Sequence, residues 1–475
     1  MTINIPNDID NITFNGNDLD ELKVNGTTIW SRSSGGYTNP MYIESQQNGS
    51  TVSLSKTGSP SETYYTSSDN SSYHAYTYGT TVTLNYGERL YWYSPTQAVH
   101  SDNNYVKFTM TGKFKVAGNI QSLNNYSTSV GNQGYIWLFQ NCSAIYDVSE
   151  LELTATTVGH GGYGGMFKGC NRITTPPTIS VTTFTGNWNC NQMFQNCSAL
   201  TTAPVLPATT LGQNCYSSMF QSCTALTTVP SNMLPATTLA SNCYSSMFCD
   251  CYRLTTAPAL PATTLASYCY SSMFSSCSAL TSVPALPATT LAGGCYYYMF
   301  KSCSALTTVP SNMLPATTLA VQCYNYMFAN CTRLTTAPVL PATTLQNYCY
   351  QGMFQSCTAL TTVPSNMLSA TILANNCCEY MFSYCSSLTT APDIPAATLK
   401  NSCYSQMFYN CTSLNSVTAL FTSIPSSGYP LSLWLYGVSA TGTFTMNANA
   451  TWDPETRRGA SGVPNDWTVT TVTPQ

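Results

Sequence analysis

Residues 215–242 read CYSSMFQSCTALTTVPSNMLPATTLASN, and residues 243–268 read CYSSMFCDCYRLTTAPALPATTLASY. The two lines are one pattern, C-Y-x-x-M-F-x-x-C-x-x-L-T-T-x-P-x-L-P-A-T-T-L-x-x-x, and it recurs between Cys142 and Cys411. The Met-Phe step returns from Met166 to Met407 at intervals of 26 or 28 residues with a single 27, and Leu138-Phe139 is an imperfect first copy. From Met219 onward each longer interval carries the insertion P-S-N-M-L, at Pro230, Pro310 and Pro364. A fixed period of this size marks a solenoid, in which each repeat is one coil stacked on its neighbours. One coil cannot bury enough surface to fold alone, so stacking and terminal caps are required. Leu, Met, Phe and the two Cys of each repeat are expected to point inward. L-T-T-x-P is expected to give a short strand, ended by a proline with no N–H to donate. C-Y-x-x-M-F-x-x-C is expected to form a helical turn on the opposite side. Eleven such coils, at a strand spacing near 4.8 Å, make a rod roughly 50 Å long.

Working outward, residues 1–35 form a separate hairpin unit. In NITFNGNDLDELKVNGTTIW (11–30) short strands are interrupted by Asn15-Gly16 and Asn25-Gly26, and Asn-Gly is the strongest signal of a two-residue hairpin turn. Asn17, Asp18, Asp20 and Glu21 read as turn and solvated edge, since they lack the twelve-residue calcium-loop pattern. After a Ser/Gly linker, residues 36–125 alternate apolar and polar positions in several short strands, the pattern of a small β-sandwich. The solenoid occupies 126–414, in about eleven coils. Residues 415–475 lose the repeat and read as a β-rich cap or module.

Composition narrows the function. Only 7% of the 475 residues are charged, against about 25% in ordinary proteins. With 15 Lys plus Arg and a net charge of −4, there is no basic patch to neutralise a phosphate backbone, and nucleic acid is not an expected partner. The 43% hydrophobic content argues for a packed core over disorder. No apolar run approaches the ~18 residues of a membrane span, so no membrane insertion is expected. MTINIPNDIDNITF has neither a basic nor an apolar segment of the secretory kind, and the expectation is a protein made without Sec export.

All 22 cysteines lie between Cys142 and Cys411. Most fall four residues before or after the Met. On a helix the two would stand roughly 12 Å apart, beyond the ~7 Å Cα limit of a disulfide. Free buried thiols are the favoured reading; inter-coil bridges and metal are the alternatives, though C-x7-C without His is not a zinc spacing. The three histidines, His74, His100 and His160, lie outside the regular repeats. His100-Ser101-Asp102 reads as a polar loop, because catalytic triads are assembled from distant segments. No paired carboxylates, phosphate-cradling glycine loop or nucleophile–base pattern is present, so neither enzymatic activity nor a cofactor is expected.

Two residue sets remain for binding. Tyr216, Tyr244, Tyr270, Tyr296, Tyr324, Tyr350 and Tyr404 follow the first Cys of their repeats. They are read either as a half-buried column between coils or as a platform for sugar rings. The second set varies between coils, as in Ser217-Ser218, Tyr297-Tyr298 and Glu379-Tyr380, and is read as a place for specificity or as unconstrained surface. The Thr-Thr pairs suggest an ice-binding ladder only weakly, since adjacent threonines in a strand point to opposite faces.

At M-F-x-x-C-x-x-L-T-T-x-P the chain resembles the BspA-type leucine-rich repeats of bacterial surface proteins, with Met in place of the usual Ala. That resemblance covers about residues 142–414 and implies adhesion, or protein and glycan binding. The flanks ITFNGNDLDELKVNGTTIWSR, VKFTMTGKFKVAGNIQSL, GTFTMNANATWD and SGVPNDWTV look like modules of virion proteins from Bacteroidales phages, including crAss-like phages. This second resemblance implies a tail or head fibre or decoration protein, located on the virion and released by lysis. Its N-terminal module would dock to other virion proteins and its solenoid would meet a host-surface protein or glycan. It also implies a homo-oligomer, with a trimer usual for fibres, although no heptad coiled coil is present to enforce one. The alternative is a bacterial cell-surface adhesin of the BspA type.

Overall fold

The computed structural model describes residues 39–98, 100–459 and 461–473 in full, with strand backbone alone at four earlier stretches. Those stretches are β1 (Ile12–Phe14), β2 (Asn17–Leu19), β3 (Glu21–Val24) and β4 (Thr27–Ser31). β1 pairs antiparallel with β2 and β3 with β4; Phe14 faces Asn17 and Val24 faces Thr27. Each pairing leaves one Asn-Gly dipeptide as its connection. The acidic side chains weighed for calcium lie outside the described residues.

Eight strands follow: β5 (Tyr42–Ser45), β6 (Ser50–Thr57), β7 (Tyr65–Ser67), β8 (His74–Ala75), β9 (Val82–Leu84), β10 (Arg89–Tyr93), β11 (Tyr105–Thr111) and β12 (Phe114–Asn119). They form the sheet path β12-β5-β10-β7-β8 and a second sheet β11-β6-β9. Alternate residues face the core, as period-2 patterning requires. Trp92 of one sheet meets Phe108 of the other edge-on, with centroids 4.9 Å apart.

β12 belongs to two structures at once. It runs antiparallel to β5 and parallel to two strands of the first coils. Those coils contribute β13 (Ser129–Val130), β14 (Ile145–Asp147), β15 (Leu151–Leu153), β16 (Thr157–Val158), β17 (Thr178–Ile179) and β18 (Thr183–Phe184). Phe108 stacks at 5.1 Å on Phe139, the first phenylalanine of the repeats. The core of the β-module therefore runs on into the core of the solenoid, and β11 with β12 caps its first coil.

The solenoid has about 13 turns. In the regular coils the expected helical turn is absent, and among the described residues there is no α-helix. The Cys-Tyr-Met-Phe-Cys stretch is instead a wall of overlapping β-turns. In the coil of Met299, the amides of Cys295, Tyr297, Met299, Lys301 and Cys303 each donate to the carbonyl three residues earlier. The intervening amides of Tyr296, Tyr298, Phe300 and Ser302 donate to Cys323, Asn325, Met327 and Ala329 of the next coil at 2.7–3.0 Å. Every amide in the stretch is paired, half within the coil and half between coils, as buried backbone requires. The wall closes because every fourth residue is left-handed: Gly294, Tyr298 and Ser302 in this coil, Asn214, Ser218 and Ser222 in an earlier one. A residue with positive φ cannot sit within an α-helix, so this spacing decides between the two.

The inward residues form columns along the axis. Twelve phenylalanines from Phe108 to Phe408 stack with centroids 5.1–5.7 Å apart and planes within 2–10° of parallel. All the cysteines are free, and all but Cys249 are buried. The second cysteine of each repeat has a definite task. Cys331 Sγ reaches the Phe300 carbonyl of the preceding coil at 3.2 Å, and the same bond recurs from Cys142 to Cys411. That carbonyl already accepts the Cys303 amide, so the thiol occupies its second lone pair. The P-S-N-M-L insertion places Met233, Met313 and Met367 in the core while its Ser-Asn bulges outward.

Past Leu414 the repeat motif ends but the coiling does not. β19 (Ser416–Ala419), β20 (Gly442–Asn447) and β21 (Trp467–Val472) are parallel and in register one coil apart. The Phe408 amide donates to the Trp434 carbonyl, as the Phe amide of each earlier Met-Phe step donates to the Met carbonyl of the next coil, so Trp434 takes the methionine position and Leu435 the phenylalanine one. The expected C-terminal cap is thus made of further coils that no longer spell the motif.

Candidate functional site

The seven tyrosines weighed as a sugar platform lie inside the solenoid, at 0–2% exposure. From Tyr216 to Tyr350 their rings stack on one another at 5.6–5.9 Å, within 2–12° of parallel. Buried on both faces, they present nothing to a ligand, and the column is a structural one. Tyr135 and Tyr163 belong to it too. Cys190 and Cys378 occupy the same position in their coils and interrupt the stack. Burial pushes these phenols, and the neighbouring thiols, upward from their ordinary pKa; Cys323 and Cys331 reach about 12.

The L-T-T and A-T-T threonines stand on two further edges of each coil. Adjacent threonines are both exposed there, as at Thr307 and Thr308. The expectation of opposite faces fails because these segments make single inter-coil bridges, not strands. The first hydroxyl of several L-T-T pairs is committed to the framework: Thr227 Oγ1 donates to the Thr201 carbonyl, and Thr335 Oγ1 to that of Thr307.

What varies between coils lies on the outside of the turn wall, chiefly at the left-handed positions and the residues beside them. The central coils gather Tyr268, Tyr297, Tyr298, Tyr326 and Tyr380 there, with Lys301 Nζ 4.5 Å over the Tyr298 ring. Two of the rings lie flat on the next coil, and the residue beneath each is glycine. A Cβ on Gly294 would overlap the Tyr268 ring, and one on Gly352 the Tyr326 ring. Beside them an amide ladder runs from Asn325 to Gln351 to Glu379, each link 2.8 Å.

A hollow on this wall lies in the first coils, with a volume of about 270 Å³. Its floor is Gly161, Gly164 and Gly165, where most later coils carry Asn, Ser, Gln or Tyr at the left-handed sites. Trp137 stands on the coil before and Trp188, 46% exposed, on the coil after. Trp137 is braced edge-on by Tyr105 of β11 at 5.1 Å, and a Cβ on Gly165 would collide with its ring. The polar lining is Asp102, Gln133, His160, Asn191 and Gln192. Gln133 Nε2 donates to Asp102 Oδ1 at 2.7 Å, and Lys168 Nζ donates to Gln192 Oε1 at 2.9 Å. The Asp102 loop thus serves this hollow, whereas His100 turns inward to face Glu62 at 3.5 Å. His100 and Asp102 lie on opposite sides of the chain. None of the hollow was foreseen from the sequence; its signals were a glycine run inside a repeat and two tryptophans at left-handed positions where no regular coil carries one.

Among the described residues no group of His, Cys, Asp and Glu has the arrangement of a metal site, and no helix is long and apolar enough to cross a membrane. The chain matches no protein-family model, and no curated protein is significantly similar to it.

Proposed function

We propose that this chain is a non-enzymatic structural protein of a bacteriophage virion, a tail or head fibre or decoration protein, whose solenoid meets a host-surface glycan or protein. The observation that carries the adhesive part is the division of labour in the turn wall. Inward positions repeat from coil to coil, while outward positions vary and hold aromatic, amide and hydroxyl side chains on a rigid spacing. Aromatic rings with a few polar groups on a fixed scaffold form recognition surfaces, and the backbone beneath them is held by paired amides in every coil. The likeness of the flanks to phage virion modules supports placing the chain on a particle, with the N-terminal hairpins as its attachment. The M-F-x-x-C-x-x-L core supports reading the coils as BspA-type leucine-rich repeats, with a wall of turns where a helix was expected. Immunogold labelling of purified particles, with mass spectrometry of the same fraction, tests the reading. Label at one fixed site on capsid or tail supports it. Label confined to bacterial envelopes overturns it in favour of a cell-surface adhesin.

A further inference from the structure

We infer that the hollow framed by Trp137 and Trp188 is a saccharide subsite that takes one neutral pyranose residue, an inference that rests on the adhesive reading and gives it a location. The volume, about 270 Å³, lies just below the ~300–1,000 Å³ typical of small-molecule sites, which suits a single ring over an extended ligand. Its two indoles come from coils on either side of the glycine floor, so apolar surface stands on two sides of the space. The C–H faces of a pyranose are the apolar surface that such rings accept.

The polar groups match the rim of a sugar. Gln133 spends its amide N–H on Asp102, leaving its own carbonyl and the second Asp102 oxygen as acceptors. Gln192 gives its carbonyl to Lys168, leaving its amide N–H groups as donors. Asn191 Nδ2 donates to the Ser217 carbonyl at 3.0 Å, leaving Oδ1 as an acceptor. His160 adds a ring that is donor or acceptor according to tautomer. Donors and acceptors interleaved at this density suit vicinal hydroxyls, each of which both donates and accepts. Asp102 sets the charge preference. A carboxylate in a lining whose residues include neither Lys nor Arg disfavours phosphorylated and uronic sugars. The hollow is also built as part of the fold. β11 braces one indole, the loop before it supplies Asp102, and glycine in the intervening coil lets that indole and the Gln133 side chain lie against its backbone.

The test is ligand-observed saturation-transfer NMR on the full chain with glucose, galactose, mannose and N-acetylglucosamine. Glucuronic acid and glucose 6-phosphate serve as anionic counterparts. At least one neutral sugar should give transfer, the anionic pair little or none, and Trp188→Ala should weaken the binding at least tenfold. Because Trp188 stands about half exposed on the outer wall, outside the packed columns, that variant should keep the circular dichroism and melting temperature of the parent. Tyr348→Ala, in the same column six coils further on, should leave binding unchanged. Asp102→Asn should narrow the gap between neutral and anionic sugars. Absence of transfer from every neutral sugar, or binding that survives Trp188→Ala, overturns the subsite. Particle labelling is independent of it. Label on virions without sugar binding removes the subsite alone, and sugar binding without virion label removes the virion reading alone.

Discussion

The coil of Met299 and the coil of Met166 share one backbone and differ in what they offer solvent. In the first, the left-handed positions carry Gly294, Tyr298 and Ser302; in the second, all three are glycine, at 161, 165 and 169. Inside, the two coils agree at tyrosine, methionine, phenylalanine and the second cysteine, which makes the same bond in both, while Gly162 stands where the other coil has Cys295. The glycines let Trp137 and Gln133 of the preceding coil lie against the wall beside the hollow, with no change in the path of the chain. Inward columns set whether the molecule stands, and outward columns set what it can touch.

If that division holds, insults to the inward columns should dominate stability. The largest should be alkaline. Burial raises the folded-state pKa of the core thiols, to about 12 at Cys197, Cys323, Cys331 and Cys385, against about 8.5 in an unfolded chain. The unfolded state then loses protons first as pH rises. The stabilisation is complete below about pH 8.5 and falls through the range up to about 12. Each such thiol takes away about 1.4 kcal/mol per pH unit, and with so many in one core, denaturant midpoints should collapse steeply between pH 9 and 10 (a window set by the ~8.5 reference). A flat profile there would mean that the thiols are not buried as described.

Next in size is Phe300→Ala, which removes one ring from an unbroken stack and should cost about 3–5 kcal/mol. Hydrogen exchange should show the loss concentrated in the adjoining coils, as nearest-neighbour stability implies. Gly352→Ala probes the outward columns and should cost about 1–3 kcal/mol, from left-handed strain plus overlap with Tyr326. Adding Tyr326→Ala should restore the overlap part, so the double-mutant cycle should show coupling. Cys331→Ala should cost about 1 kcal/mol and Cys331→Ser less, because Ser keeps a donor for the Phe300 carbonyl. Trp188→Ala should stay within about 0.5 kcal/mol of the parent. Denaturant unfolding measures all of these.

The solenoid and its inward set were legible in the sequence because each coil repeats the same apolar positions. The wall was misread as helical because turns and helices both bring residues four apart onto one face. The spacing contains the correction: Cys-Tyr, Met-Phe and Cys recur at a strict four, whereas four residues of α-helix overshoot a turn by about 40°. The Asn and Ser residues at every fourth outward position were the second clue, since Asn tolerates positive φ. Beyond Leu414 the coils were hidden because their contacts persist with other side chains, Trp434 replacing methionine and Leu435 phenylalanine. The hollow was hidden for a different reason. Its lining runs from Asp102 to Gln192, across a loop and three coils, and no local motif joins them.

The Tyr268 ring crosses the coil of Gly294, and its hydroxyl donates to Gln322 Oε1 at 3.1 Å, two coils away. This contact bears on heredity. Nearly identical repeats invite recombination that drops or duplicates a coil, and the backbone would accept either event, since every coil offers the same amides. The outer wall would not be indifferent. Deleting the coil of Gly294 would seat Tyr268 directly on Gln322 and strand its hydroxyl, while duplicating it would put the partner out of reach. Copy number is thus free in the core and punctuated on the surface, so the array can lengthen or shorten only at some of its seams.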